Sequence, residues 1–250
     1  MAVTASPFLE FRQVWKSFNA KKVLQGLDLS VRRGETVVVL GGSGTGKSVL
    51  LRHAIGLMRP DSGTVLVEGV AIEDLEEDDL IQIRKRFGML FQSAALFDSM
   101  SVSENIAFAL REHLDLDEAE IDARVRHNLD LVELEDVEEL MPSDLSGGMR
   151  KRVGLARAIA LQPAAILYDE PTTGLDPITA QSINRLIRSM QTKLGVTSVV
   201  VTHDILSASR VADRIAFLDQ GRVRFFGSFP EAMSSNDELL RAFVSGGMLR

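Results

Sequence analysis

The chain has 250 residues, 45% hydrophobic and 25% charged, which fits one large folded domain and excludes disordered and fibrous classes. Thirty-five acidic residues against 28 basic ones leave a net charge of −7, which opposes generic attraction to nucleic acid or to an anionic lipid surface. There is no cysteine, so disulfides, iron–sulfur clusters, thiolate zinc sites and cysteine nucleophiles are ruled out. The longest apolar runs, such as Val37-Val38-Val39-Leu40, fall far short of the ~18–20 residues that span a bilayer. Met1 to Ala5 lacks the basic region and apolar core of a signal peptide, so the expectation is a cytosolic chain.

In chain order, Phe8 to Phe11 reads as a strand, and Leu27 to Val31 alternates with period two. A turn at Arg33-Gly34 leads to a buried strand, Thr36 to Leu40, and a glycine-rich loop follows at 41–46. Ser48 to Leu57 reads as a helix, stopped by the turn Arg59 to Gly63, and Thr64 to Ala71 as another strand. The acidic run Glu73 to Asp79 reads as a solvated loop start. Ser101 and Glu104 have capping-box spacing. Behind them Ile106, Ala109, Leu110 and Leu114 share one helical face, and Ile121, Val125, Leu129 and Val132 form a second amphipathic stripe. Between 115 and 139 there are eleven Asp or Glu against two Arg, so the outer face of this segment is read as acidic and solvated.

From Met149 the pattern returns to helix, then strand (Ala164 to Tyr168), helix (about 178–194) and strand (Thr197 to Val201), with a last helix over Asp237 to Val244 expected to pack on the sheet in preference to a second subunit. Strands alternating with helices predict a parallel sheet covered on both faces. The expected fold class is α/β, with one domain over 1–250. Its core is placed at about 1–94 and 151–250, and an all-helical segment at about 95–150.

The glycine-rich loop carries the clearest chemistry. Gly41-Gly42-Ser43-Gly44-Thr45-Gly46-Lys47-Ser48 has the form G-x-x-x-x-G-K-S between a strand and a helix. Glycines let such a loop wrap a polyphosphate with inward N–H groups, and the helix N-terminus adds positive potential. Lys47 is predicted to reach the β- and γ-phosphates and the Ser48 hydroxyl to ligate Mg²⁺. Ala165 to Glu170 reads as an apolar strand ending in two acids. Asp169 suits a place beside Mg²⁺, and Glu170, one residue further on, a place from which to polarise an attacking water. Ser146-Gly147-Gly148, before the helix that contains Arg150 to Arg157, makes a second phosphate-binding helix terminus, with Ser146 as N-cap. One polyphosphate with two remote cradles implies that two copies of the chain share each nucleotide.

On these motifs the chain resembles the ATP-binding subunits of ABC transporters over nearly its whole length. In the terms of that family, the chain matches Walker A (41–48), the Q-loop glutamine (Gln92), the signature (145–149), the Walker B acids (Asp169 and Glu170), the D-loop (Thr173 to Asp176) and the switch histidine (His203). The resemblance implies a P-loop, RecA-like core with a β arm on the N-terminal side and a helical subdomain. It also implies ATP and Mg²⁺ as cofactors, with Glu170, His203, Gln92 and Lys47 in catalysis, and Ser48, Gln92 and Asp169 around the metal. Phe18 falls where that family stacks an aromatic, more often tyrosine, on adenine, and its π-face is kept.

Val49 stands where threonine is usual, which removes one hydroxyl from the phosphate site, and Met149 where glutamine is usual. With Phe91 to Ser99 and the run Ser146 to Val153, these departures resemble the ATPases of Mce-linked lipid transporters, such as the Mla system. That branch implies a homodimer under an integral MlaE-like permease, with an Mce-domain protein as a further partner, no nucleic acid, and a place on the cytoplasmic face of the inner membrane. Competing expectations are the ATPase of another ABC importer or exporter, or a soluble ABC ATPase outside transport. His53, His113 and His127 have no spaced acid or histidine partners and read as core or surface residues.

Overall fold

A computed structural model describes residues 6–248; Met1 to Ala5, on which the signal-peptide reading rests, lie outside the described residues. The first stretch forms β1 (Leu9–Phe18), β2 (Lys21–Val31), β3 (Thr36–Leu40), α1 (Lys47–Ala54), β4 (Ser62–Val67) and β5 (Val70–Ala71). It continues through α2 (Glu77–Arg84), β6 (Phe87–Leu90), α3 (Val102–His113), α4 (Glu118–Leu131) and α5 (Gly147–Ile159). Then come β7 (Ala165–Asp169), α6 (Pro177–Leu194), β8 (Thr197–Thr202), α7 (Ile205–Val211), β9 (Arg214–Asp219), β10 (Arg222–Gly227), α8 (Phe229–Met233) and α9 (Glu238–Met248).

Two sheets result. The N-terminal arm is antiparallel, in the order β2-β1-β4-β5, and the central sheet runs β10-β9-β3-β8-β7-β6. Strands β9, β3, β8, β7 and β6 pair in parallel and only β10 is antiparallel, at the edge. Alternate side chains of β3 enter different cores: Val37 and Val39 join the arm and α1, while Val38 and Leu40 join the helices on the other face. That is the two-sided burial expected of a doubly covered parallel sheet. The loops after β3, β7 and β8 leave the same edge of the sheet, the carboxyl ends at which open α/β sheets bind ligands.

Local signals hold well in the helices. Ser101 caps α3 with Glu104 in a capping box, and Asp117 caps α4 in the same way with Glu120. Val102, Ile106, Ala107 and Leu110 of α3, and Ile121, Val125 and Leu129 of α4, are buried in one cluster that also takes in Val38 and Tyr168 of the central sheet. Leu114 departs from its predicted stripe: α3 ends at His113 and Leu114 is exposed. Helix α5 runs without a break through position 150.

Other boundaries shift for physical reasons. Helix α1 ends at Ala54, three residues before the predicted Leu57, because the chain turns left-handed at Gly56. The single strand expected over Thr64 to Ala71 is a hairpin, turned at Glu68 and Gly69, both with positive φ. Glu77, Asp78 and Asp79, read as loop, form the first turn of α2, where the positive end of the helix dipole favours them. The last helix lies on the sheet as expected, with Leu240 and Val244 buried and Phe243 5.1 Å from Phe217 of β9. Among the described residues no helix is long and apolar enough to cross a membrane.

His53, on α1 directly behind the glycine-rich loop, is buried, with Nδ1 2.7 Å from the Val49 carbonyl and Nε2 without a partner. Burial lowers its pKa from the ordinary 6.5. Below about 6.5 the unfolded chain therefore takes up a proton that the folded chain resists, so this residue destabilises the fold as pH falls. Thermal melts of the wild type and His53→Gln across pH 7.5 to 5 are expected to diverge, the variant losing less stability than the wild type; parallel curves would remove His53 as the cause.

Candidate nucleotide site

The loop 41–46 turns from the end of β3 into α1. Gly46 has φ 105, and a Cβ there would lie 3.0 to 3.2 Å from Val23 and Leu24, so glycine alone fits the entry to the helix. Thr45 braces the turn by donating from its hydroxyl to the Gly42 carbonyl at 3.0 Å. The ammonium of Lys47 is buried in the loop, donating to the carbonyls of Gly41 (2.9 Å) and Gly42 (3.0 Å), and stands 3.5 Å from Glu170 Oε1.

Strand β7 delivers two acids to the same place. The Ser48 hydroxyl donates to Asp169 Oδ1 at 3.1 Å, joining residues 121 positions apart. Burial raises the Asp169 pKa above its ordinary value, and the Ser48 bond works against that rise. These are hard oxygen donors, with Gln92 at the rim of the same cavity, and that chemistry fits Mg²⁺.

Glu170 continues past the strand with φ 47, a left-handed backbone that is costly outside glycine and concentrates at functional sites. Its Oε2 accepts from His203 Nδ1 (2.9 Å), the Thr202 hydroxyl (3.2 Å) and the Thr173 hydroxyl (3.2 Å). With Oε2 held by three donors, Oε1 is left toward Lys47 and the cavity. The motif reading named His203 here but missed both threonines as donors. Thr173 and Thr202 stand inside the quoted motifs, yet only the packed strands show that their hydroxyls converge.

Most of these residues line one cavity of about 1130 Å³; Gly41, Thr45 and Asp169 stand behind its lining. Gly42, Ser43, Gly44, Gly46, Lys47 and Ser48 form its floor. Gln92, Glu170 and His203 line one part of the wall, and Phe18 and Val49 another. Phe18, at the end of β1, is 41% exposed and lines the cavity, and the Lys16 ammonium lies over its ring, 5.9 Å from the centre. Phe243 and Gly246 of α9 also line the cavity, which the reading of the tail as a sheet-packing helix did not foresee.

Ser146, Gly147 and Gly148 do not line this cavity. They form the start of α5, with Ser146 exposed and the two glycines half-buried, and the Ser146 hydroxyl accepts from Met149 N at 3.2 Å. Gly148 has an internal reason to be glycine, because a Cβ there would sit 2.5 Å from Thr179 Cγ2 of α6. Met149 packs against the main core, a use of its thioether that glutamine would serve poorly.

A family model described as "ABC transporter" matches residues 24–173, which contain the loop, the α5 terminus, Asp169 and Glu170. The chain belongs to the ABC transporter family. It is 40% identical over 238 residues to "Probable ribonucleotide transport ATP-binding protein mkl" of Mycobacterium leprae, covering 95% of this chain and 69% of the relative. It is 41% identical over 256 residues to "Protein TRIGALACTOSYLDIACYLGLYCEROL 3, chloroplastic" of Arabidopsis thaliana, covering 96% and 74%. It is also 41% identical over 220 residues to the "Methionine import ATP-binding protein MetN" of Brucella abortus, covering 88% of this chain but only 59% of that one. Among solved structures, a dimeric ATP-binding cassette in a post-hydrolysis state with ADP and Pi superposes with a TM-score of 0.81 at 32% identity, over 88% of this chain and 98% of that one. The fold is thus that of an ABC ATPase cassette, and the chain is an ATP-binding subunit whose hydrolysis is coupled to transport.

Proposed function

We propose that this ABC ATPase is one half of a two-chain motor that drives a membrane permease moving phospholipid or a related lipid. The observation that carries the motor reading is the split of its phosphate-binding parts. The Walker A loop, Glu170 and His203 line one cavity, whereas Ser146, Gly147 and Gly148 of the same chain do not. Two chains face to face complete two sites, each with the Walker A of one and Ser146, Gly147 and Gly148 of the other. The dimeric cassette with ADP and Pi supports this arrangement by its likeness.

In each site Phe18 stacks on the base, and the N–H groups of 41–48 with Val49 surround the phosphates. Mg²⁺, held by Ser48, Asp169 and Gln92, would neutralise phosphate charge. Glu170 Oε1 takes the proton side of the attacking water, while His203 and the two threonines keep the carboxylate aimed. ATP does work on the permease because it binds the closed pair better than the open one. The exposed rings of Phe91, next to Gln92 in the chain, and of Phe97 and Phe108, 5.4 Å apart, are the surface through which a permease would follow that closure.

The lipid assignment is supported by the Met149 signature and by a relative named for a galactolipid; the relatives named for ribonucleotide and methionine transport favour a second reading as the motor of another importer. Copurification from detergent-solubilised membranes tests it: an MlaE-like permease with an Mce-domain protein is expected, and a permease of another class would replace the lipid reading by the second. Capture of no integral protein would sink both.

Sharing of the site has its own test. Ser146→Arg and Lys47→Ala are each expected to be inactive. Mixed with subunit exchange, they form heterodimers with one intact composite site, so roughly a quarter of wild-type ATPase activity should return. No recovery would argue against sites built in trans.

A further inference from the structure

Lys151 lies in the Arg150-Lys151-Arg152 run of α5, yet it is only 4% exposed. A buried ammonium is costly unless it is well paired. Its Nζ donates to the main-chain carbonyl of Gln92 at 2.6 Å and to that of Glu170 at 3.4 Å. One turn and a half further along α5, the Arg157 guanidinium donates to the carbonyls of Ala94 (2.9 Å) and Ala95 (2.8 Å). Both alanines are left-handed, with φ 63 and 48. Arg157 thus holds the segment after Gln92, but only Lys151 reaches across to the end of β7. Residues 92 and 170 belong to segments that touch the reaction from different sides, and Glu170 is itself left-handed at φ 47. A left-handed non-glycine residue persists only where its surroundings hold it.

We propose that Lys151 is a positioning residue for ATP hydrolysis: its ammonium ties the main chain of Gln92 to that of Glu170, so that both side chains enter the cavity at a fixed separation. The inference rests on the roles given to Gln92 and Glu170 above. A displacement of about 1 Å at a reacting group costs up to ~10²-fold in rate, so a tie of this kind has a measurable consequence. It also makes the start of α5, which faces the partner's nucleotide, and the catalytic carboxylate parts of one connected unit.

The test is steady-state ATPase kinetics and fluorescent-nucleotide titration of Lys151→Met, Lys151→Gln and Lys151→Arg, with thermal melts of each. Lys151→Met is expected to lower kcat by about tenfold or more while nucleotide affinity stays within about twofold, and Lys151→Arg, which restores charged donors, should regain most of the rate. In a Glu170→Gln background, Lys151→Met should cost a clearly smaller fraction of the residual rate than it costs the wild type, because one of the two groups it positions is already disabled. A wild-type kcat in Lys151→Met, an equal fractional loss in both backgrounds, or a fall in affinity that parallels the fall in rate would each overturn the proposal. If Lys151→Met does not fold, Lys151→Gln decides by the same comparison. If Glu170→Gln alone turns over normally, the assignment of Glu170 has failed, a result distinct from failure at Lys151.

Discussion

Glu170→Gln is expected to bind ATP normally and to hydrolyse it roughly 10²–10⁴-fold more slowly. Glutamine keeps the shape of the side chain and can still be held by Thr173, Thr202 and His203, whose donors now converge on Glu170 Oε2. What is lost is the negative charge on Oε1, the atom turned toward the cavity and 3.5 Å from the Lys47 ammonium. Without that charge no group at this position draws the proton from water as it attacks. Binding is expected to survive because the loop of 41–48, proposed to grip the phosphates, is not touched by the substitution. Uncleaved nucleotide should then hold two chains together. Size-exclusion chromatography is expected to show a dimer with Mg·ATP that ADP does not support. Turnover near the wild-type rate would remove Glu170 from the catalytic role and leave its strained backbone without a function.

Lys47→Ala is expected to fail one step earlier. The ammonium is buried against the carbonyls of Gly41 and Gly42 and beside a carboxylate, in a loop that is to receive a highly charged anion. Hydrogen bonds to charged groups contribute about 1.5–3 kcal/mol, so ATP affinity should fall roughly 10–100-fold. The effect is enlarged because Glu170 then faces the phosphates with no intervening positive charge. Titration with a fluorescent ATP analogue reads this directly, and far-ultraviolet circular dichroism shows whether the fold is kept. Unchanged affinity would mean that the loop is not the phosphate site. The two variants therefore separate binding from chemistry: one should lose the nucleotide, and the other should keep it uncleaved.

The features legible in the amino-acid sequence are those that depend on a few consecutive residues. The loop of 41–48 was readable because its glycines, lysine and serine meet the needs of a phosphate within a single turn. The N-caps at Ser101 and Ser146 were readable for the same reason, since each hydroxyl bonds an amide three residues away. Strands β3, β7 and β8 announced themselves as short apolar runs, because burial on both faces leaves no polar alternation. Strands β9 and β10 did not: Arg222 and Arg224 give β10 the look of a surface segment, and only pairing with β9 at the edge of the sheet makes it a strand.

The catalytic environment belongs to a different level. The three donors to Glu170 Oε2 come from residues 3, 32 and 33 positions away, and their convergence depends on β7 and β8 lying side by side. Lys151 sits in the basic run Arg150-Lys151-Arg152, and its burial is decided by how α5 packs against β6 and the loop after it. The kind of chemistry is legible along the chain, because the loop proposed to wrap the phosphates is a run of eight consecutive residues. Which side chains hold the carboxylate, and which cation is buried behind it, depends on packing, because desolvation and hydrogen-bond partners are set by segments that the chain order keeps apart.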